Sequence, residues 1–219
     1  MLDPRSCKRL IVYGGSFDPP HRGHVELPFQ AVEAAGADGV LYVPAGHPPH
    51  KISGPVAEAH HRLQMLRLAL SDRHDAAIST YELETPGKGY TVDTLEHLRR
   101  ELGDSVELRL LIGADMAAMF DQWHRPDRVV ELAEPLVMVR RPYNLSEIAA
   151  KLGDERWVSR IVPVPAIDIS STQIRQAISQ DRWDDPALTG NVHPRVLAYI
   201  RDHNLYRRLN PSFDLSDSQ

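Results

Sequence analysis

The chain has 219 residues, 42% of them hydrophobic and 25% charged, and a formal net charge of −5, so it can bury one sizeable core but cannot coat nucleic acid with a basic surface. Its single cysteine, Cys7, excludes an intrachain disulfide. No apolar run is long enough to span a bilayer and the charged, proline-containing start lacks a leader's hydrophobic segment, so a cytoplasmic protein with no membrane or nucleic-acid partner is expected.

In chain order, residues 10–13 (Leu-Ile-Val-Tyr) read as a buried parallel strand and residues 24–35 as a helix ended by Gly36. Pro28 falls inside that helical pattern and predicts either a later start or a bend. Residues 39–43 form a second strand, and a proline-rich loop, Pro44-Ala45-Gly46-His47-Pro48-Pro49-His50-Lys51, leads to a helix over 57–70 with Leu63, Leu66 and Leu70 on one face. The loop's composition fits a hinged lid or a static surface loop equally. A third strand is read over 77–83, a helix over 92–102 and a fourth strand over 106–112. Two further strands, 135–140 and 160–164, flank a helical stretch at 145–152, and helices over 171–178 and 195–203 close the pattern.

This alternation implies an α/β fold, a Rossmann-like doubly wound parallel sheet of five to six strands with helices on both faces and a small C-terminal helical part. One domain over 1–219 is expected, with flexible ends at 1–8 and 210–219.

Ligands of such sheets sit beyond the carboxyl ends of the strands, so the chemistry is sought in the loops that follow them. The turn Gly14-Gly15-Ser16-Phe17-Asp18-Pro19-Pro20-His21-Arg22-Gly23-His24 joins a strand to a helix start, where backbone N–H groups hold phosphates. At three-residue spacing His21 and His24 can face one ligand, and Gly23 keeps the backbone between them clear. The loop after the second strand carries His50 and Lys51, and the fourth strand ends at Gly113 and Asp115. After the last strand comes Ile169-Ser170-Ser171-Thr172-Gln173-Ile174-Arg175. Ser170 and Ser171 read as helix caps, but Arg175 opposes the helix dipole there, for which a bound anion is a natural compensation. The 11 histidines, with His60-His61 and His47/His50, raise a metal hydrolase as an alternative, yet no HExxH motif or cysteine cluster occurs.

GGSFDPPHRGH resembles the N-terminal motif of the HxGH nucleotidyltransferase superfamily. With PAGHPPHK, GYTVDTL, GADMAAMFDQW and ISSTQIR in this order, most of the chain is similar to the bacterial nicotinate-nucleotide adenylyltransferases, which make nicotinic acid adenine dinucleotide from ATP and nicotinate mononucleotide in NAD synthesis. The resemblance implies that Gly14, Gly15, Phe17, His21 and His24 contact ATP, that Gly113 and Asp115 hold its ribose, and that Ile169, Ser170, Ser171, Thr172 and Arg175 complete the ATP site, Arg175 clasping pyrophosphate. Ser16, Lys51, Tyr90, Thr91 and Trp123 are implied for nicotinate mononucleotide. Thr91 would offer backbone N–H groups to its carboxylate and Trp123 would stack on its ring. Thr91 as a helix cap and Trp123 as a core residue remain the plain readings of the same positions. The departures are Arg22 at the variable position of the motif, Pro28 in the helix and His124 after the tryptophan.

For such a reaction the acceptor phosphate is already ionised, so no general base is needed. Charge neutralisation is, and His21, His24, Lys51 and Arg175 are expected to supply it, with Mg²⁺ bound mainly through substrate phosphates rather than a protein metal site and Asp18 at most its outer partner. Transfer to nicotinamide mononucleotide or another phosphorylated acceptor, a class I aminoacyl-tRNA synthetase fragment and a non-catalytic nucleotide sensor are the competing readings. A homo-oligomer is compatible with the sequence.

Overall fold

The computed structural model describes residues 2–46, 56–85, 87, 89–140, 155–165, 167 and 169–207. Six strands, β1 (Arg9–Gly15), β2 (Gly39–Pro44), β3 (Ala76–Ile78), β4 (Glu107–Gly113), β5 (Glu134–Arg140) and β6 (Ile161–Val164), form one sheet in the order β3-β2-β1-β4-β5-β6. Every pairing is parallel, as the α/β reading requires. Among the described residues the α-helices are α1 (Arg22–Ala35), α2 (Ala59–Ala69), α3 (Tyr81–Glu84), α4 (Thr91–Leu102), α5 (Ala114–Ala117), α6 (Pro126–Leu132), α7 (Ser171–Ser179), α8 (Pro186–Thr189) and α9 (Pro194–Asp202). The helical stretch expected at 145–152 and the expected loose end at 210–219 lie outside the described residues.

Side-chain alternation along the strands divides the interior. Leu10 and Val12 of β1 join Val92, Leu95 and Leu98 of α4 and Val129 of α6 on one face, while Ile11 joins Leu27 and Ala31 of α1 and Leu66 of α2 on the other. A third core, of Met65, Ile174, Leu188, Val196 and Ile200, packs α7, α8 and α9 against α2. That is the small C-terminal helical part, and α2 is what fastens it to the sheet.

Between β1 and β4 the strand order reverses, which opens a crevice at their carboxyl ends. The other end of the sheet carries a charged ladder. Arg9 pairs with Glu107 at 2.7 Å, Arg109 with Glu107 at 2.6 Å and also with Glu134, and Arg160 with Glu134 at 3.2 Å. Apart from Arg109–Glu107, which lies within β4, these pairs link neighbouring strands near their starts, at the end of the sheet away from the crevice, so they serve register.

Two expectations change. The strand read over 77–83 stops at Ile78, and Tyr81–Glu84 is a helical turn with Leu83 N–H on the Thr80 carbonyl at 2.9 Å. The strand it pairs with, β2, ends at Pro44, which has no N–H to extend a ladder. Residues 2–8, expected as a flexible end, are tied down: Leu2 N–H donates to the Ala76 carbonyl at 3.1 Å, Asp3 caps a short 3₁₀ turn, and Cys7 is buried.

Pro28 does not delay the start of α1, which begins at Arg22. It lies inside the helix and is buried, and the N–H it lacks would have met the carbonyl four residues back, that of His24. The hydroxyl of Tyr42, itself wholly buried on β2, donates to that carbonyl at 3.1 Å instead. A backbone acceptor left open by proline is thus met by a neighbouring strand.

Candidate active site

Each motif residue of the β1–α1 turn has a steric or hydrogen-bonding reason. Phe17 is buried in the left-handed region, φ 49°, held by edge contacts with Tyr13, Tyr42 and His24 at 5.8, 5.8 and 5.3 Å. A side chain at Gly15 would stand 2.9 Å from its ring, so that glycine is demanded by the packing of Phe17. His21 occupies the N-cap of α1, where its Nδ1 accepts the Gly23 N–H at 3.1 Å, while His24 Nδ1 accepts the His21 N–H at 3.3 Å. A side chain on Gly23 would meet the His21 ring at 3.0 Å, so the glycine makes room for the capping imidazole.

This reciprocal cap determines protonation. A backbone N–H can only donate, so both Nδ1 atoms are acceptors and each neutral ring carries its proton on Nε2. With the rings 3.8 Å apart, the turn presents two imidazole Nε2–H donors side by side at the head of a helix.

Behind the rings, Asp18 is a hub. It is 4% exposed, and its carboxylate accepts from Val56 N–H at 2.7 Å, Ala57 N–H at 3.2 Å and the Tyr206 hydroxyl at 2.6 Å. Its backbone carbonyl accepts from Arg175 Nη1 at 2.7 Å, and the same nitrogen stands 4.0 Å from Oδ2. Ser171 Oγ donates to the Pro19 carbonyl at 2.9 Å, so α7 is fastened twice to this turn. Arg62, 1% exposed, donates to the carbonyls of Ser16 at 2.9 Å and Ala57 at 3.2 Å. Burial pulls its guanidinium below the ordinary arginine range, opposed by Asp18, Tyr206 and Glu82.

A cavity of about 840 Å³ runs from this turn across the ends of β1 and β4 to the head of α4. At its far end Tyr90 stands at the N-cap of α4 without a side-chain cap, stacked on His124 at 4.5 Å. The first turn of α4 therefore offers backbone donors to the cavity. Trp123 lines the same end with its other side against Phe120, whose ring is 5.0 Å away. Glu82 lies beneath: its carboxylate accepts from Thr94 Oγ1 at 2.7 Å and from the Gly46 N–H, and burial pushes its proton affinity up despite these donors and Arg62. At Gly14 and Gly113 an added side chain would meet nothing closer than the Val43 carbonyl at 3.9 Å in the first case and nothing within 4 Å in the second, so protein packing does not explain either glycine. Both line the cavity, where a missing side chain lets a ligand reach the backbone. A smaller cavity of about 380 Å³, between β2, α3 and α4, holds none of the expected site residues.

Among the expected residues, Gly14, Gly15, Ser16, His21, His24, Tyr90, Thr91, Gly113, Asp115, Trp123, Ile169, Ser170 and Ser171 all line the one cavity. Phe17 is not on its wall but under it. Thr172 and Arg175 stand beside the wall at the Asp18 end, where Arg175 Nη2 also reaches Thr172 Oγ1 at 3.3 Å. Lys51, His50 and His47 lie outside the described residues.

Two local readings need correction. Ser170 caps α7 by accepting the Gln173 N–H, but Ser171 bonds Pro19 and caps nothing. Thr91 is the first residue of α4, not its cap. Arg175 also has the protein's own Asp18 nearby, Oδ2 at 4.0 Å, its carboxylate engaged by backbone and tyrosine.

Arg62, Glu82 and Tyr206 escaped the sequence reading. Arg62 had a signal, since it shares the buried face of α2 with Met65, Leu66 and Ala69. Glu82 was hidden by the strand reading, and Tyr206 follows the last expected helix.

The sequence profile described as cytidylyltransferase-like matches residues 12–177. A Thermomicrobium roseum protein named "Probable nicotinate-nucleotide adenylyltransferase" is 40% identical over 202 residues, covering 91% of this chain and 92% of that protein. A Chromobacterium violaceum protein of the same name is 34% identical over 214 residues, covering 91% and 99%. The solved Plasmodium falciparum nicotinic acid mononucleotide adenylyltransferase, described as complexed with NaAD, shares the fold at a TM-score of 0.69 and 20% identity, over 91% of this chain and 97% of that one. Packing, crevice and relatives agree: the chain belongs to the cytidylyltransferase-like family, among the nicotinate-nucleotide adenylyltransferases.

Proposed function

We propose that the protein transfers the adenylyl group of ATP to nicotinate mononucleotide, releasing pyrophosphate and nicotinic acid adenine dinucleotide, a step of NAD synthesis. The observation that carries the reading is one continuous cavity with paired Nε2–H donors at one end and the open head of α4 at the other. An oxygen of the acceptor phosphate attacks the α-phosphorus in line, and the bond from that phosphorus to the bridging oxygen of the pyrophosphate breaks. The attacking oxygen is ionised, so what the protein supplies is alignment and stabilisation of charge.

His21 and His24 donate from Nε2 to phosphate oxygens. Gly14 and Gly113 let the nucleotide approach the backbone, and Asp115 takes the ribose hydroxyls. Ser16 meets the acceptor phosphate and Arg175 the departing pyrophosphate, with Lys51 as a further cation. Thr91 and the head of α4 meet the nicotinate carboxylate, and Trp123 supports the pyridine ring. Phe17 acts by packing, under Gly15 and against His24.

Among the described residues no group of three or more imidazoles, thiols or carboxylates is placed to hold a metal. Mg²⁺ fits this donor set as an ion carried on phosphate oxygens and water, where it would neutralise the triphosphate. The protein acts on small molecules and needs no nucleic-acid or membrane partner. Among the described residues no helix is long and apolar enough to cross a membrane.

The test is pyrophosphate release from ATP and Mg²⁺ with either nicotinate mononucleotide or its amide. The acid should be turned over faster, because the α4 head favours an anion. ATP binding without pyrophosphate release from any acceptor would make the protein a sensor and end the proposal.

A further inference from the structure

The last described turn of the chain reaches back to the phosphate end of the cavity. After α9, Asn204 and Tyr206 both take left-handed conformations, φ 51° and 62°. Asn204 N–H bonds the Arg201 carbonyl at 3.2 Å, and Leu205 N–H the Ile200 carbonyl at 3.0 Å. A bulky L-residue at such a φ is disfavoured by about 1 kcal/mol, so something must hold Tyr206 there. Its ring packs on the C-terminal core, and its hydroxyl donates to Asp18 Oδ1 at 2.6 Å, across 188 residues of sequence, with Met65 Sδ at 3.8 Å.

Asp18 thereby joins Tyr206 to Arg175. Oδ1 receives Tyr206 and Ala57, Oδ2 receives Val56, and Oδ2 also lies 4.0 Å from Arg175 Nη1. That distance is longer than a direct ion pair with good hydrogen-bond geometry. The carboxylate's lone pairs are directed at the backbone and the phenol, so the guanidinium is held by the Asp18 carbonyl rather than by the charge.

We propose that Tyr206 is a positioning residue for pyrophosphate: by occupying Asp18 it keeps that carboxylate from capturing Arg175, which stays available to the phosphates. The proposal rests on the role given to Arg175 under Proposed function. Without the hydroxyl, Oδ1 loses its shortest donor and Asp18 competes with the ligand for the guanidinium.

The experiment measures the affinity of the full-length protein for inorganic pyrophosphate with Mg²⁺ by titration calorimetry, in wild type, Tyr206→Phe, Arg175→Gln and the double variant. Nicotinate mononucleotide binding is measured alongside. Tyr206→Phe should weaken pyrophosphate binding about tenfold, the scale of one hydrogen bond to a charged group, and leave the mononucleotide within about twofold. In the Arg175→Gln background the same change should have no further effect, a non-additivity that general loosening of the fold would not produce. Tyr206→Leu replaces the phenylalanine variant if that does not fold, with the same expected loss.

Unchanged pyrophosphate affinity in Tyr206→Phe, an equal loss for both ligands, or the full loss persisting in the Arg175→Gln background would each overturn the proposal while leaving adenylyl transfer intact. Failure of the wild type to bind pyrophosphate would overturn the role of Arg175 and the proposal together, even if turnover with the acid acceptor were observed.

Discussion

The two ends of the cleft are built differently. At the phosphate end, bonds spanning 38, 152, 157 and 188 residues converge on Asp18 and its neighbour Pro19, and the donors around them are largely spoken for by the protein itself. At the acceptor end, Glu82 reaches Thr94 only 12 residues away, aromatic rings lie face to face, and the head of α4 has no side-chain cap. Under the proposed function, the first end is preorganised to meet developing charge, which favours rate, whereas the second leaves backbone donors for the ligand to satisfy, which favours recognition.

If that contrast is right, the chemistry should fail at the histidines first. His24→Ala is expected to lower kcat about 100- to 1,000-fold, the scale of one preorganised donor, with circular dichroism unchanged. A kcat near normal would take His24 out of the chemistry and erase the distinction between the ends.

Stability should follow the same asymmetry. Asp18→Ala leaves two backbone N–H groups and a phenol without their common acceptor, so urea unfolding should show a loss of about 3 kcal/mol. Glu82→Ala should lose less, and equal losses would mean that both ends are held alike. Between these extremes lies the link from α1 to β2. Tyr42→Phe strips the His24 carbonyl of its donor and should cost about 1 to 2 kcal/mol. In a Pro28→Ala background, where a helical N–H is restored, the cost should shrink, and a simple sum of the two effects would refute the compensation.

The smallest effect is one of pH. Burial raises the Glu82 carboxyl above the ordinary 4.5, so the folded state holds this proton more tightly than the unfolded chain does. Its contribution to stability is therefore greatest in acid and declines as pH rises from that ordinary value through the raised one. Unfolding free energies at pH 5 and pH 8 should differ less in Glu82→Gln than in wild type by this component, and parallel pH profiles would show that Glu82 does not titrate in the window.

Local sequence was a good guide wherever local physics decides. Strand runs such as Leu10-Ile11-Val12 and the switch to a helical period after a glycine turn follow from side-chain alternation and capping, so the parallel sheet and its crevice could be read from the chain. The same holds for the histidine pair, because a three-residue spacing at a helix start brings both rings to one side. Where the outcome depended on a neighbour, the reading failed. Residues 79–83 alternate like a strand, yet β2 runs out of partners at Pro44. Pro28 does not delay α1 as one reading expected, and Tyr42 of β2 meets the carbonyl that it leaves without a helical donor.

Composition and motif order thus determined the architecture and the family likeness. Tertiary structure alone decided that the His24 carbonyl opposite Pro28 is met by Tyr42, that Asp18 is occupied by distant donors, and that the last described turn reaches the first loop. The reason is physical: periodicity and capping act within a few residues, while satisfying a buried carboxylate draws on whatever donors folding brings to it.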